Sequence, residues 1–184
     1  NSANTGNGSA QNPYNRFEDA VAHVANGGTI YIDASEGAFL NAQDEGGTLP
    51  FIIDKNVTIK PANGASNAEL DVRAGGIILG ADVTFENLTL SFANKYHDSI
   101  FANGYRLNLI NVTRNESSRK IDLFTGSLHL PGAPDTPVYP PGTKGVIHVE
   151  TNAQFAGGLP STFGNIYAGS MNGIFEHESE ITVN

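Results

Sequence analysis

The chain has 184 residues, no cysteine, and a formal net charge of −9 from 19 acidic and 10 basic residues. This length suits one domain with a substantial core. The lack of thiols excludes disulfides, thiolate metal sites and a cysteine nucleophile. The negative charge makes nucleic acid an unfavourable partner, because the protein would repel its phosphates. The sequence has no run of 18 apolar residues and therefore predicts no membrane span.

The N-terminal part predicts a flexible leader followed by one helix. Residues 1–12 are mostly small and polar and have little to bury, so we expect the single domain to occupy residues 13–184. A helix is predicted at about residues 16–25, with Asn15 as its N-cap and Glu18 three residues later. Its apolar stripe is formed by Phe17, Ala20, Val21 and Val24. A helix this short is marginal alone, so we expect the stripe to cover the end of an apolar core.

The rest of the chain predicts short strands that repeat. Segments of three to six residues, rich in β-branched side chains, alternate with Gly, Asn and Asp. Residues 82–90 superpose on residues 106–114 at an offset of 24, and residues 122–127 superpose on residues 165–170 at an offset of 43. We attribute the longer offset to the proline-rich insert at residues 131–142, predicted to be an exposed loop. A period in the 20s is typical of coils that stack on copies of themselves.

Asparagines recur at the predicted corners of these coils. Asn56, Asn87 and Asn111 are each followed by an apolar residue and Thr. We expect all three to occupy one corner position, where their side chains would bond the backbone of neighbouring coils.

Two segments carry a resemblance to known proteins. Residues 17–32, which combine a helix, a glycine turn and the sequence Thr-Ile-Tyr-Ile, resemble the N-terminal cap and first strand of right-handed parallel β-helices of the pectin-lyase-like superfamily. Residues 163–170 resemble repeats in large bacterial cell-surface and adhesin-like proteins. The resemblance implies an all-β fold, a right-handed parallel β-helix (solenoid) with a short N-terminal capping α-helix.

The densest mixture of aromatic and polar groups is the candidate ligand-binding site. Aromatic faces supply contact area and polar groups supply direction in sugar or protein recognition. The candidate ligand-binding residues are Tyr96, His97, Asp98, Tyr105, Arg106 and Tyr139. The alternative is that the tyrosines only anchor loops.

Enzymes of the resembled superfamily suggest a second set of candidates. Its polysaccharide lyases use a Lys or Arg base with calcium on clustered aspartates, and its glycoside hydrolases need two or three carboxylates on neighbouring coils. If the protein is an enzyme, the catalytic candidates are Asp98, Asp122 and Arg106. The aspartates suit turns equally well, and the basic residues are scattered along the chain.

No metal site is predicted from the sequence. His148 and Glu150 alternate onto one strand face, but the chain has no paired-histidine spacing. No cofactor is expected, and calcium enters only through the resemblance.

These observations lead to one functional hypothesis and one alternative. The hypothesis is a non-catalytic β-helix module of an exported bacterial surface protein, a rigid stalk or adhesin-type scaffold that binds a carbohydrate or a host surface protein. It predicts an extracellular or cell-surface location, a larger multidomain chain, and a signal and anchor outside these 184 residues. The alternative is a carbohydrate-active enzyme, a polysaccharide lyase or glycoside hydrolase, with cleft walls formed by residues 36–48 and 131–142.

Overall fold

A computed structural model describes residues 6–41, 49–92, 99–115, 120–133, 135–150, 163–174 and 176–184. Its described residues form one helix, α1 (Phe17–His23), one short 3-10 turn (Ala62–Gly64) and fifteen strands in three sheets. The first sheet contains β1 (Gly28–Ile32), β4 (Val57–Pro61), β7 (Val83–Glu86), β10 (Arg106–Ile110), β13 (Lys144–Glu150) and β15 (Glu178–Val183). The second contains β2 (Ala38–Asn41), β5 (Ala68–Arg73), β8 (Leu88–Phe92) and β11 (Thr113–Arg114). The third contains β3 (Phe51–Ile53), β6 (Ile77–Leu79), β9 (Ser99–Phe101), β12 (Ile121–Phe124) and β14 (Phe163–Tyr167).

The chain visits the three sheets in turn. From β1 to β12, each strand is followed by a strand of the next sheet, and strands three positions apart in the order are hydrogen-bonded neighbours. Every pair of neighbouring strands is parallel. The described fold is therefore all-β in character with parallel sheets and one short helix, as the sequence predicted, and it is compatible with a parallel β-helix.

The internal repeats predicted from the sequence coincide with strand pairing. Phe85 pairs with Leu109, and Thr89 pairs with Thr113, which confirms the offset of 24 residues. The second repeat is confirmed from residue 123 onward, where Leu123 pairs with residue 166 at an offset of 43. At its first residue, Asp122 Oδ1 accepts from the backbone N–H of Asn165, again at an offset of 43. A register shift lies just before the repeat, because Ile121 pairs with residue 163.

The main core consists of columns of apolar side chains that continue from strand to strand. On the first sheet, pairing places Ile59 beside Phe85, Phe85 beside Leu109 and Leu109 beside Val149. Ile59, Phe85 and Leu109 are fully buried, and Val149 is almost so. Because strands alternate inward and outward residues, the parallel register forces like residues to stack on like.

Helix α1 packs on this core but begins and ends differently from the prediction. Phe17 and Val21 are buried in it. The helix is shorter than residues 16–25, and its N-cap is Arg16 without a side-chain cap, so the prediction of Asn15 was wrong. Glu18 does not close a capping box, because its Oε1 accepts a 2.6 Å hydrogen bond from the backbone N–H of Asn41 on β2.

The predicted asparagine corner is correct for two of three residues. Asn87 and Asn111 have positive φ angles of 54° and 52°, and Asn111 Nδ2 donates to Asn87 Oδ1 at 2.9 Å. Asn56 lies in a different column, because the pairing of residues 57 and 83 puts it beside Asp82. There its Oδ1 accepts from the backbone N–H of Asp82 at 2.9 Å, and Asp82 Oδ1 accepts from that of Arg106 at the same distance. Asn56 therefore links neighbouring coils as expected, but at another corner.

Candidate functional site

The proline-rich insert folds over the outer face of the third sheet. That face carries a second apolar cluster, separate from the main core, made of Ile78, Phe101, Phe124 and Leu128. The Phe101 and Phe124 rings stack with centroids 4.9 Å apart, and Phe124 stacks on Tyr167 at 4.5 Å. Val138 and Tyr139 of the insert pack against this cluster and are half-buried, whereas most of the insert is exposed, as predicted.

Asn103 connects the insert to the sheets. It is fully buried in a left-handed conformation with a φ of 52°. Its Nδ2 donates to the carbonyl oxygens of Leu79 at 2.8 Å and Pro140 at 3.2 Å, and its Oδ1 accepts a short hydrogen bond from Ser127 Oγ. One buried amide therefore fixes the end of the insert against two coils.

A pocket lies between the insert and the segment that precedes β15. It has a volume of about 280 Å³ and approaches the lower end of the usual range for small-molecule sites, roughly 300–1,000 Å³. Its polar lining residues are Ser127, His129, Asp135, Glu176 and His177. Its apolar lining comes from Pro137, Pro141 and Ile174.

His129 is the unusual residue of this pocket. The residue is only 4% exposed, and its two ring nitrogens are closed off from solvent. Neither nitrogen has a hydrogen-bond partner among the described residues. The backbone of His129 is fixed, because its N–H donates to the Met171 carbonyl at 3.0 Å. The ring lies against Gly173, where an added Cβ would be 2.4 Å from the ring carbon Cγ. Glycine at position 173 thus leaves the space that the imidazole occupies.

Buried polar groups without partners are rare because they lose their hydration without replacement. The same pocket is lined by Asp135 and Glu176, which are exposed residues. Their carboxylates can accept hydrogen bonds from a polar ligand, whereas both nitrogens of the His129 ring are closed off from solvent.

A second depression, on the first sheet, is a weaker candidate. It has a volume of about 270 Å³ and is lined in part by Asn56, Asp82 and Thr84. Asn56 and Asp82 already accept hydrogen bonds from the backbone of neighbouring coils, and Thr84 Oγ1 accepts from Asn108 Nδ2 at 3.0 Å. These three polar side chains therefore already hold the coils together.

Three of the predicted ligand-binding residues lie in the described part of the chain. Tyr105 packs against the main core, whereas Arg106 is exposed at the start of β10 on the first sheet. Tyr139 packs on the apolar cluster of the third sheet. Tyr96, His97 and Asp98 lie outside the described residues.

The two predicted catalytic residues in the described ranges occupy different sheets. Asp122 is on β12 of the third sheet, and Arg106 is on the first. Asp122 Oδ1 accepts hydrogen bonds from Asn165, at 2.8 Å from its backbone N–H and at 3.2 Å from its Nδ2. This carboxylate therefore links β12 to β14. Asp98, the third candidate, lies outside the described residues.

Sequence reasoning missed His129, although a signal was present. The 43-residue repeat extends past its predicted end, since Leu128 pairs with Met171 and the His129 carbonyl accepts from Asn172 Nδ2 at 3.4 Å. Extending the repeat would have placed His129 at a coil corner next to the insert. Its burial without a partner depends on Gly173 and could not be read from spacing.

Ionic contacts lie mainly on the sheet exteriors. Lys144 Nζ lies 2.8 Å from Glu180 Oε2, and this hydrogen bond and charge raise the pKa of Lys144 and lower the pKa of Glu180. The predicted sharing of a face by His148 and Glu150 is confirmed by a distance of 3.4 Å between Nε2 and Oε2. Within the described ranges, no group of three or more His, Asp or Glu residues is placed to hold a metal ion.

No helix among the described residues has the length and apolar character needed to cross a membrane. No protein-family model, curated protein or solved structure matches this chain.

Proposed function

We propose that this chain is a right-handed parallel β-helix module of an exported bacterial surface protein, acting as a rigid, non-catalytic scaffold that presents a ligand-binding pocket on its side. In this proposal the fold belongs to the pectin-lyase-like type, and the natural location is outside the cell or on its surface. The partner is a carbohydrate or a surface protein of a host.

The strand order supports the β-helix part of the proposal. Three parallel sheets visited in turn, with Phe85 over Leu109, are what a stacked coil requires. Connections between parallel strands of one sheet are almost always right-handed, since strand twist favours that hand. The side-chain links between neighbouring coils, such as Asn111 to Asn87, favour a stiff rod.

The observation that carries the binding part is the pocket around His129. Binding groups usually lie on loops that a rigid frame positions, and this pocket lies between the insert and the third sheet. Its imidazole is buried without a protein partner among the described residues. Such a group costs stability, and the exposed Asp135 and Glu176 of the same pocket supply the groups that would face a ligand.

The alternative is a carbohydrate-active enzyme, and one observation favours it. Asp135, Glu176 and two imidazoles line a single pocket, and these are the residue types used in acid-base catalysis. Asp122 is less suited to this role, because Asn165 occupies one of its oxygens.

One experiment distinguishes the scaffold from the enzyme. The purified chain is applied to an array of neutral and acidic glycans, and the same glycans are incubated with it and assayed for new reducing ends and unsaturated products. The scaffold proposal expects binding without product. Product formed by the wild-type chain but not by a Glu176→Gln variant establishes the enzyme instead. Retention on no glycan and on no host surface protein refutes the binding part of the proposal.

A further inference from the structure

The pocket between the insert and the segment before β15 offers hydrogen-bond acceptors rather than donors. Its exposed polar groups include the carboxylates of Asp135 and Glu176, which accept hydrogen bonds and donate none when ionised. Ser127 contributes no donor, because its hydroxyl proton is bonded to Asn103 Oδ1. The ring nitrogens of His129 are closed off from solvent and face no ligand. A ligand rich in donors therefore fits this lining best.

The charge of the lining is negative. Asp135 and Glu176 are both exposed, and no lysine or arginine in the described ranges lines the pocket. The other titratable lining residues are His129 and His177, which add nothing to the formal charge at pH 7. The whole chain has a formal net charge of −9, so its field reinforces that of the pocket. A cation is therefore attracted, whereas a carboxylate or phosphate meets two like charges.

An apolar wall accompanies these carboxylates. Pro137, Pro141 and Ile174 line the same pocket, and Ile174 is 70% exposed. An aliphatic segment of a ligand that covers Ile174 removes apolar area from water. An arginine side chain has this composition, because its methylene stem packs on apolar surface while its charged head stays among polar groups. An amino sugar is also cationic, but it carries hydroxyl groups in place of an alkyl stem.

The guanidinium group matches the lining better than an ammonium group does. It is planar and always charged, and it presents a rigid fork of N–H donors with no acceptor, which suits carboxylates. Arginine is also enriched among the residues that dominate protein–protein interfaces. The pocket volume of about 280 Å³ suits a single side chain that protrudes from a partner.

We infer that this pocket is a docking site for an arginine side chain of a partner protein, with the guanidinium on Asp135 and Glu176 and the methylene stem on Pro137 and Ile174. The inference deepens the proposed function by choosing a protein over a carbohydrate as the partner of the scaffold, and it rests on that function only for the existence of a partner. The insert supplies one side of the site, and the segment before β15 supplies the other.

The test uses the whole chain and blocked tripeptides as probes. The arginine probe is acetyl-Gly-Arg-Gly-amide, and its matched control contains citrulline, which keeps the stem and the planar head but carries no charge. The corresponding lysine peptide and methyl glucosaminide are the other cationic probes. Binding is followed by shifts of backbone amide resonances in two-dimensional NMR, for wild type and for the variants Glu176→Gln, Asp135→Asn and Ile174→Ser. Glu178→Gln is the control variant, because it removes the same charge from an exposed glutamate of β15 that does not line the pocket.

We expect the arginine peptide to shift the amide resonances of Ser127, Asp135 and Glu176. The citrulline peptide should bind at least about 10-fold more weakly, because the hydrogen bonds to a charged donor are lost. Glu176→Gln and Asp135→Asn should each weaken binding about 5- to 10-fold for the same reason. Ile174→Ser should weaken binding about 3- to 10-fold, since the stem loses an apolar contact. Glu178→Gln should bind like wild type, and because all four positions are exposed, the melting temperatures should stay near that of wild type.

Four results overturn the inference: equal binding of the citrulline and arginine peptides, tighter binding of the lysine peptide or of methyl glucosaminide, equal weakening by Glu178→Gln and Glu176→Gln, or no shifts with the arginine peptide. If the arginine peptide fails while the chain still binds a glycan or a host surface protein, the inference fails and the proposed scaffold function stands. If the arginine peptide binds as expected but polysaccharide is cleaved, the proposed function fails and the docking site stands.

Discussion

Replacing Phe85 by Ala tests the stacked core most directly. Phe85 is fully buried on β7, and strand pairing places Ile59 on one side of it and Leu109 on the other. Because the whole benzyl group is removed from a packed column, we expect a loss of about 3–5 kcal/mol in the free energy of unfolding. The matched control is Phe39→Ala, since Phe39 is 48% exposed and has the Arg73 guanidinium 3.9 Å from its ring centroid. That contact predicts a loss of only about 1 kcal/mol.

A double-mutant cycle then tests whether Phe85 and Leu109 are neighbours in the stack. Combining Phe85→Ala with Leu109→Ala should give a coupling of about 0.5–3 kcal/mol, as expected for residues in contact. Combining Phe85→Ala with Phe124→Ala should be additive within about 0.5 kcal/mol, because Phe124 belongs to the separate cluster under the insert.

Urea denaturation followed by far-UV circular dichroism measures all these variants, and their midpoints are compared where the denaturant slope is unchanged. The reasoning is refuted if Phe85→Ala costs no more than Phe39→Ala. It is equally refuted if Phe85 couples to Phe124 as strongly as to Leu109.

Three further predictions concern the insert, the sheet exterior and a close backbone contact. Asn103→Ala should lower the free energy of unfolding by about 1–3 kcal/mol in the same denaturation assay, because the carbonyl groups of Leu79 and Pro140 lose their donor. It should also speed proteolysis within the insert, and an unchanged rate of cleavage contradicts the anchoring role of Asn103. Glu180→Gln should lower the melting temperature slightly at neutral pH, because the hydrogen bond and charge of Lys144 lower the pKa of Glu180. This stabilisation is present above the carboxylate's ordinary value of 4.5 and is lost as pH falls through the lowered folded value. A difference in melting temperature that persists in strong acid argues against this pair. Gly145→Ala should lower the free energy of unfolding by about 1–3 kcal/mol, because the new Cβ would lie 2.2 Å from the Thr125 carbonyl oxygen. Wild-type stability of this variant would show that the backbones at Gly145 and Thr125 are not in contact.

The resemblance and the repeats predicted the fold further than they predicted the site. The 24-residue offset was visible because parallel pairing in register puts Phe85 on Leu109 and Thr89 on Thr113, so that the repeat in sequence is also the repeat in space. The offset of 43 likewise matches the pairing of Leu123 with Ile166. Asn56 was misplaced because its spacing of 31 residues from Asn87 did not show which corner it occupied.

Composition and periodicity alone determined that this chain forms short parallel strands around an apolar interior with a helix against it, because alternation and repeat length are local properties of the sequence. The tertiary structure decided where the proline-rich insert lies and which polar groups it leaves unsatisfied. His129 fits where it does because Gly173 leaves room for its ring, and it joins Glu176 in one pocket only once the coils have stacked. Burial, unlike periodicity, is a property of the whole fold, and no spacing of residues along the chain encodes it.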